Sequence, residues 1–102
     1  IKGGMAFINI TDIIRLEADG AHTIVVEVDG KKHISTRYMK EYEDMLSPDM
    51  FFRIHASHII NLSKVKKFSR EDGFSVEMSD GQILEISRRR KEEFFEKLKL
   101  AD

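Results

Sequence analysis

The chain has no cysteine among its 102 residues, so neither a disulfide framework nor a thiolate metal site can be built from it. That fits a reducing compartment, and a cytoplasmic location is expected. No apolar run approaches the length a bilayer-spanning helix needs, so no membrane contact is expected. Nor does any stretch combine a charged start, an apolar middle and a small-residue cleavage site. The glycines form neither a phosphate-cradling loop nor a dinucleotide fingerprint. Proline occurs once, as Pro48. One further absence is local. The segment FFRIHASHIINLSKVKKFSR, residues 51–70, holds five cations (Arg53, Lys64, Lys66, Lys67, Arg70), two histidines and no carboxylate.

What is present has the balance of an ordinary globular domain, 41% hydrophobic and 34% charged. The length allows one domain with a modest core. Opening on Ile1, the chain reads as an excised piece of something longer. Its net charge of −1 hides an asymmetry: residues 1–50 carry 6 Lys+Arg against 9 Asp+Glu, and residues 51–102 carry 11 against 9. A nucleic-acid binder with this balance must work through a local basic patch on an acidic body.

The patterning is mostly β. MAFINI (5–10), IIRLEA (13–18), HTIVVEV (22–28) and KKHIST (31–36) read as strands, with Asp19-Gly20 and Asp29-Gly30 as turns. Tyr38, Met39, Tyr42, Met45 and Leu46 then recur at helical spacing, and Ser47-Pro48-Asp49 ends that helix. FFRIH and VKKFS read as strands separated by an irregular HASHIINLS. FSVEM (74–78) alternates between turns at Glu71-Asp72-Gly73 and Ser79-Asp80-Gly81, and QILEIS (82–87) follows. RRRKEEFFEKLKL closes the chain as an amphipathic helix with Phe94, Phe95 and Leu98 buried. The sum is about eight short strands and two helices in one domain, with no linker or repeat.

Two basic stretches then need a purpose. Ser87 reads as the N-cap of the last helix, followed at once by Arg88, Arg89, Arg90 and Lys91. Cations at a helix N-terminus oppose the macrodipole by roughly 0.3–1 kcal/mol each. Glu92, Glu93 and Glu96 come later than the first turn should place them. Free N–H groups beside guanidiniums form a phosphate site; the bland alternative is that some of these arginines pair with Glu85 or Glu92, or simply lie solvated. In the 51–70 segment, Arg53 and His55 share one face of a strand, opposite Phe52 and Ile54. His58, Asn61 and Ser63 add short polar groups suited to phosphate and base-edge contact. Its bland reading is a solvated cationic loop with His55 as a hydrogen-bonded structural residue. The acid-free segment reads as one edge facing phosphates.

F-R-I-H-A-S-H-I-I-N-L-S-K-V (52–65) and D-G-Q-I-L-E-I-S-R-R-R (80–90) resemble the LytTR DNA-binding domain of bacterial response regulators. T-D-I-I-R-L-E-A-D-G-A-H-T (11–23) and the short helix ending E-D-M-L resemble the same family. The likeness runs from about Met5 to Leu98, and implies a domain at 5–100 after a flank at 1–4. It implies an elongated antiparallel β sandwich of short strands, with one short mid-chain helix and a C-terminal helix, that enters major grooves through loops. Carried over by position, the first contact falls on Ala21 and His22, the second on Ala56, and the third on Arg89 with Arg88 and Arg90 beside it. Ala56 departs from the family, which places Asn, Arg or Lys there; a methyl group offers only apolar contact, so Ser57 or His58 is left to make a polar one. Asn61 and Leu62 look like turn and core residues. The resemblance also implies an upstream signalling domain, most often a receiver, and two copies on paired sites.

Other classes fit less well. His55-x-x-His58 shares a face only on a helix, and a zinc site needs His22, His33 or a carboxylate to converge with it. Ser57 lies between two histidines, but no acid lies near in sequence to orient either as a base. No strand shows the aromatic pattern of RNA-reading sheets. A protein-interaction module that has lost DNA binding is the runner-up, and it leaves the arginines unexplained. The expectation is a non-enzymatic, cofactor-free transcriptional regulator domain on double-stranded DNA. Lys64, Lys66, Lys67, Arg70, Arg88 and Arg90 would hold the backbone; His22, Ala56, Ser57, His58 and Arg89 would read bases, with Arg53 and His55 beside them.

Overall fold

The computed structural model describes residues 7–71 and 73–101. The expected flank at 1–4, Met5 and Ala6 of the first expected strand, and Asp72 of a turn lie outside the described residues.

Among the described residues, eight strands and two α-helices follow one another. They are β1 (Ile13–Asp19), β2 (His22–Glu27), β3 (Lys32–Ser35), α1 (Met39–Met45), β4 (Phe51–His55) and β5 (His58–Asn61). Then come β6 (Val65–Ser69), β7 (Ser75–Met78), β8 (Ile83–Glu85) and α2 (Lys91–Ala101). All pairings are antiparallel. One sheet has the order β3-β2-β1-β5-β4 and the other β6-β7-β8. The body is elongated, 44 × 24 × 23 Å. Among the described residues no helix is long and apolar enough to cross a membrane.

The strands β1, β5 and β4 of the larger sheet are buried on both faces, which organises their sequence. Phe52, Ile54, Ile60 and Ile14 point toward Val76, Met78 and Leu84 of the smaller sheet and Phe94 of α2. Phe51, Ile59, Leu16 and Val25 point the other way, with Met39 and the half-buried Tyr42 of α1. A bulge between Ile13 and Arg15 lets Ile14 join the first cluster while Ile13 and Leu16 join the second. Phe68, Phe74, Phe94 and Phe95 close the first core, Phe68 meeting Phe95 edge-on at 5.2 Å.

Three expectations need correction. The segment MAFINI is not a strand over its described part: Ile10–Asp12 is a 3-10 turn. Asn9 Oδ1 accepts from Thr11 N and Thr11 Oγ1, and this local bonding competes with sheet pairing. Conversely, the supposedly irregular HASHIINLS contains β5, a central strand between β1 and β4. Finally, Ser87 makes no side-chain cap bond, and Arg88–Arg90 form a 3-10 turn ahead of α2. The Ser87 N–H is drawn to Ile54 O on β4 at 2.8 Å. Because α2 starts at Lys91, Glu92 and Glu93 do occupy its first turn, where they suit the macrodipole.

Candidate nucleic-acid interface

Two tight hairpins and the arginine triplet meet at one end of the larger sheet. The β1–β2 hairpin turns through Gly20-Ala21 between the paired Asp19 and His22. Gly20 has φ +59°, a conformation costly for residues with a Cβ, which explains the glycine at this tight tip. The β4–β5 hairpin turns through Ala56-Ser57 between the paired His55 and His58. Antiparallel pairing of β1 with β5 sets Glu17 opposite His58, and Ala18 N donates to Ser57 O at 2.9 Å. The two tips therefore lie on neighbouring strand pairs, roughly 10 Å apart at about 4.8 Å per strand.

The triplet docks on the other side of the second tip. Ser87 N bonds Ile54 O at 2.8 Å, and Arg90 Nη1 donates to Arg53 O at 3.2 Å. A shallow cleft of about 280 Å³ results, lined by Arg53, His55, Ala56, Ser87, Arg89 and Arg90. Segments far apart in sequence thus form a continuous surface.

The cations there are of two kinds. Arg88 and Arg89 are exposed, and among the described residues neither pairs with a carboxylate, including the neighbouring Glu85 and Glu92. Arg53 and Arg90 are bound inward. Arg53 Nη1 meets Glu43 Oε1 at 2.9 Å and its Nη2 donates to Ala56 O at 2.7 Å. Arg90 Nη1 lies 3.7 Å from Glu43 Oε2. Glu43 lies on α1, and no local pattern in the sequence marks it out. Asp19 is an exposed acid beside the first tip, so the end is not uniformly positive.

The histidines also differ. His22 and Ala21 are exposed at the first tip, and Ala56 is exposed at the second. His55 Nδ1 accepts from Ser57 N at 3.1 Å, so a neutral ring carries its proton on Nε2. His58 is half-buried, its ring 5.7 Å from that of His55. Burial lowers its pKa below 6.5; Glu17 opposes that shift, while His55 and Arg15 add to it. Ser57 presents its backbone to His55, and no described hydrogen bond joins its hydroxyl to either ring.

The rest of the acid-free segment goes elsewhere, so residues 51–70 do not form one edge. Asn61, fully buried, ends β5 away from the tips, donating to Ile13 O and accepting from Ser63 N and Oγ. Leu62 is buried beside it. Both are structural, as their positions imply. Lys64 follows in a 3-10 turn, and Lys66 and Lys67 stand exposed on β6 of the smaller sheet. Lys66 lies 3.6 Å from Glu77, and Arg70 sits over the Phe95 ring at 5.7 Å.

Comparison with known proteins bears on this surface. Residues 3–99 match the LytTr DNA-binding domain family. The CO-responsive transcriptional regulator RcoM of Rhodospirillum rubrum is 36% identical over 76 residues, covering 74% of this chain and 32% of that protein. The heme-containing CO-sensing transcriptional regulator RcoM 2 of Paraburkholderia xenovorans is 27% identical over 86 residues, covering 83% and 32%. The chain spans about a third of the length of these relatives. The fold is shared with the LytTr DNA-binding domain of a Bacillus cereus protein described as a methyl-accepting/DNA response regulator. That likeness has a TM-score of 0.81 at 24% identity, over 89% of this chain and 84% of the other. A match over nearly the whole length, on a fold of the same form, settles the family: the chain belongs to the LytTr DNA-binding domains.

Proposed function

We propose that this domain is the sequence-specific DNA-binding output module of a bacterial response regulator or related transcriptional regulator, and that it contacts major grooves with the end of its larger sheet. The observation that carries this reading is the meeting of the two hairpin tips with the arginine triplet. Arg89 is the guanine reader of the set, exposed and, among the described residues, without a carboxylate partner, with the fork geometry for O6 and N7. His22 and the Ala56-Ser57 turn read neighbouring positions, with His55 and His58 shaping the second tip. Ala56 limits its own contact to an apolar one, such as a thymine methyl. Arg88 holds phosphate. Arg53 and Arg90, already engaged with Glu43, support the tip more than they bind backbone. Lys64, Lys66, Lys67 and Arg70 contribute to the surrounding positive field and so to salt-dependent affinity.

The relatives are about three times as long, which leaves room for a signalling domain, either a receiver or a sensor, and we place it upstream. Two copies on paired sites and a cytoplasmic location complete the reading. No part of it requires catalysis.

Fluorescence anisotropy tests it, using random duplex DNA and a site selected from a random pool, each titrated with salt. Steep loss of affinity with salt is expected, because phosphate contact releases counterions. Arg89→Ala should weaken the selected site by roughly 1–3 kcal/mol and random DNA far less. An equal loss on both duplexes would remove Arg89 from base reading. No binding at low salt would favour the runner-up, a protein-interaction module. Ile34, 72% exposed on the edge strand β3, and Tyr38, 61% exposed just after it, are the apolar surface such a module would use.

A further inference from the structure

We infer that Glu43 is the positioning residue of this interface and that it sets discrimination between DNA sequences rather than affinity for DNA; this rests on the DNA-binding reading above.

The other acids of α1 are paired within or next to their own helix, Glu41 with Arg37 and Asp44 with Lys40, both at i,i+4 spacing. Glu43 alone of the three reaches across to other elements, and it gives one oxygen to each of two arginines. Oε1 takes Arg53 Nη1 at 2.9 Å and Oε2 faces Arg90 Nη1 at 3.7 Å. Neither arginine stops there. Arg53 continues to the carbonyl of Ala56 in the hairpin turn, and Arg90 to the carbonyl of Arg53. One carboxylate therefore ties α1, β4, the second tip and the end of the triplet into a single bonded set.

Its charge matters as much as its geometry. Two guanidiniums this close repel each other unless an anion lies between them. Glu43 supplies that anion and removes both from competition for phosphate, leaving Arg88 and Arg89 as the outward cations. Among the described residues Arg53 Nε is already buried without a partner, so loss of the carboxylate would leave that guanidinium weakly held. The set is only partly buried, with side chains 30%, 17% and 28% exposed for Glu43, Arg53 and Arg90. A cavity of about 120 Å³ beside it, lined in part by Leu46, Phe51 and Lys97, gives released side chains room to move without unfolding the domain.

The consequence has opposite signs on two kinds of DNA. With Glu43→Gln the freed arginines gain access to any phosphate, so random DNA binds as well or better and with a steeper salt slope. The Ala56 turn and Arg89 lose their fixed relation, so the selected site binds worse. A residue that only stabilised the fold would lower both affinities together.

The experiment measures anisotropy on the selected and random duplexes at two salt concentrations, with thermal melting to confirm folding. Wild-type protein comes first: absence of salt-dependent binding there overturns the DNA-binding reading itself. Given wild-type discrimination, Glu43→Gln should reduce the ratio of selected to random affinity by about tenfold, the size of one lost base contact, without weakening random binding. An unchanged ratio, or parallel loss on both duplexes, overturns the role of Glu43. Arg90→Gln, which leaves the pair of Glu43 with Arg53 in place, supplies a second test should Glu43→Gln fail to fold. Discrimination should fall in Arg90→Gln as well, and the double variant should lose no more than the worse single variant. Full discrimination in Arg90→Gln, or additive losses in the double variant, overturns the inference.

Discussion

Arg89 and Arg90 are identical neighbours in sequence with opposite surroundings: one faces solvent, the other bonds Glu43 and the Arg53 carbonyl. Side-chain chemistry alone could not separate them, since both look equally suited to guanine or phosphate. Ala56 poses the complementary case, a position of high exposure with little chemistry of its own. Ala56→Arg should change sequence preference in a binding-site selection while leaving thermal stability nearly intact; an unchanged preference counts against the second tip as a reader. His58 makes the residue-scale prediction about pH. Burial lowers its pKa in the folded protein below 6.5, so the unfolded chain takes up the proton more readily. Its stabilising contribution is full above about pH 6.5 and is lost as pH falls from there through the folded-state pKa. Melting temperature should therefore decline as pH falls below about 6.5, and His58→Gln should flatten that decline. A slope identical in the two proteins would place the effect on another group.

At the scale of elements, the helices and most strands were legible from period. Phe94, Phe95 and Leu98 mark the inner side of α2, and Val76 and Met78 alternate inward on β7 as FSVEM implies. The central strand β5 was not legible, for a physical reason. Ile59 and Ile60 are buried on opposite faces of a sheet covered on both sides, so the alternation that marks a half-exposed strand is missing. MAFINI failed in the reverse sense, because its alternation has no sheet partner over the described part and Asn9 forms a local turn instead. Asn61 fixes where β5 ends. Its amide donates to the Ile13 carbonyl and its oxygen accepts from Ser63, all with the side chain fully buried. Asn61→Ala should cost roughly 1–3 kcal/mol in urea unfolding, the penalty for orphaning buried polar groups. A cost near zero would mean that β5 is held by its strand pairing alone.

At the scale of the whole molecule, two sheets must hold one orientation for a contact surface to exist. Besides the apolar core, a buried ion pair joins them: Arg15 on β1, only 4% exposed, meets Asp80 in the β7–β8 turn at 3.0 Å and Glu17 at 3.2 Å. Asp80→Ala should destabilise the domain by about 2 kcal/mol, less than the ~3–5 of a buried pair stripped of its only partner, because Glu17 remains. Denaturant unfolding would measure this. A neutral result would show that the core alone orients the sheets.

The sequence by itself determined the β character, two tight turns at Gly20 and Gly30, both helices and the clustering of the arginines, because alternation, positive-φ glycines and clustered charge are properties of residues close along the chain. Only the tertiary structure decided that the Gly20-Ala21 turn, the Ala56-Ser57 turn and Arg88–Arg90 share one end, and that the 51–70 segment divides between two sheets. It also decided which arginines are held inward. Those outcomes depend on β5 inserting beside β1 and on α1 bringing Glu43 to Arg53 and Arg90, contacts between residues too far apart along the chain for any local pattern to specify.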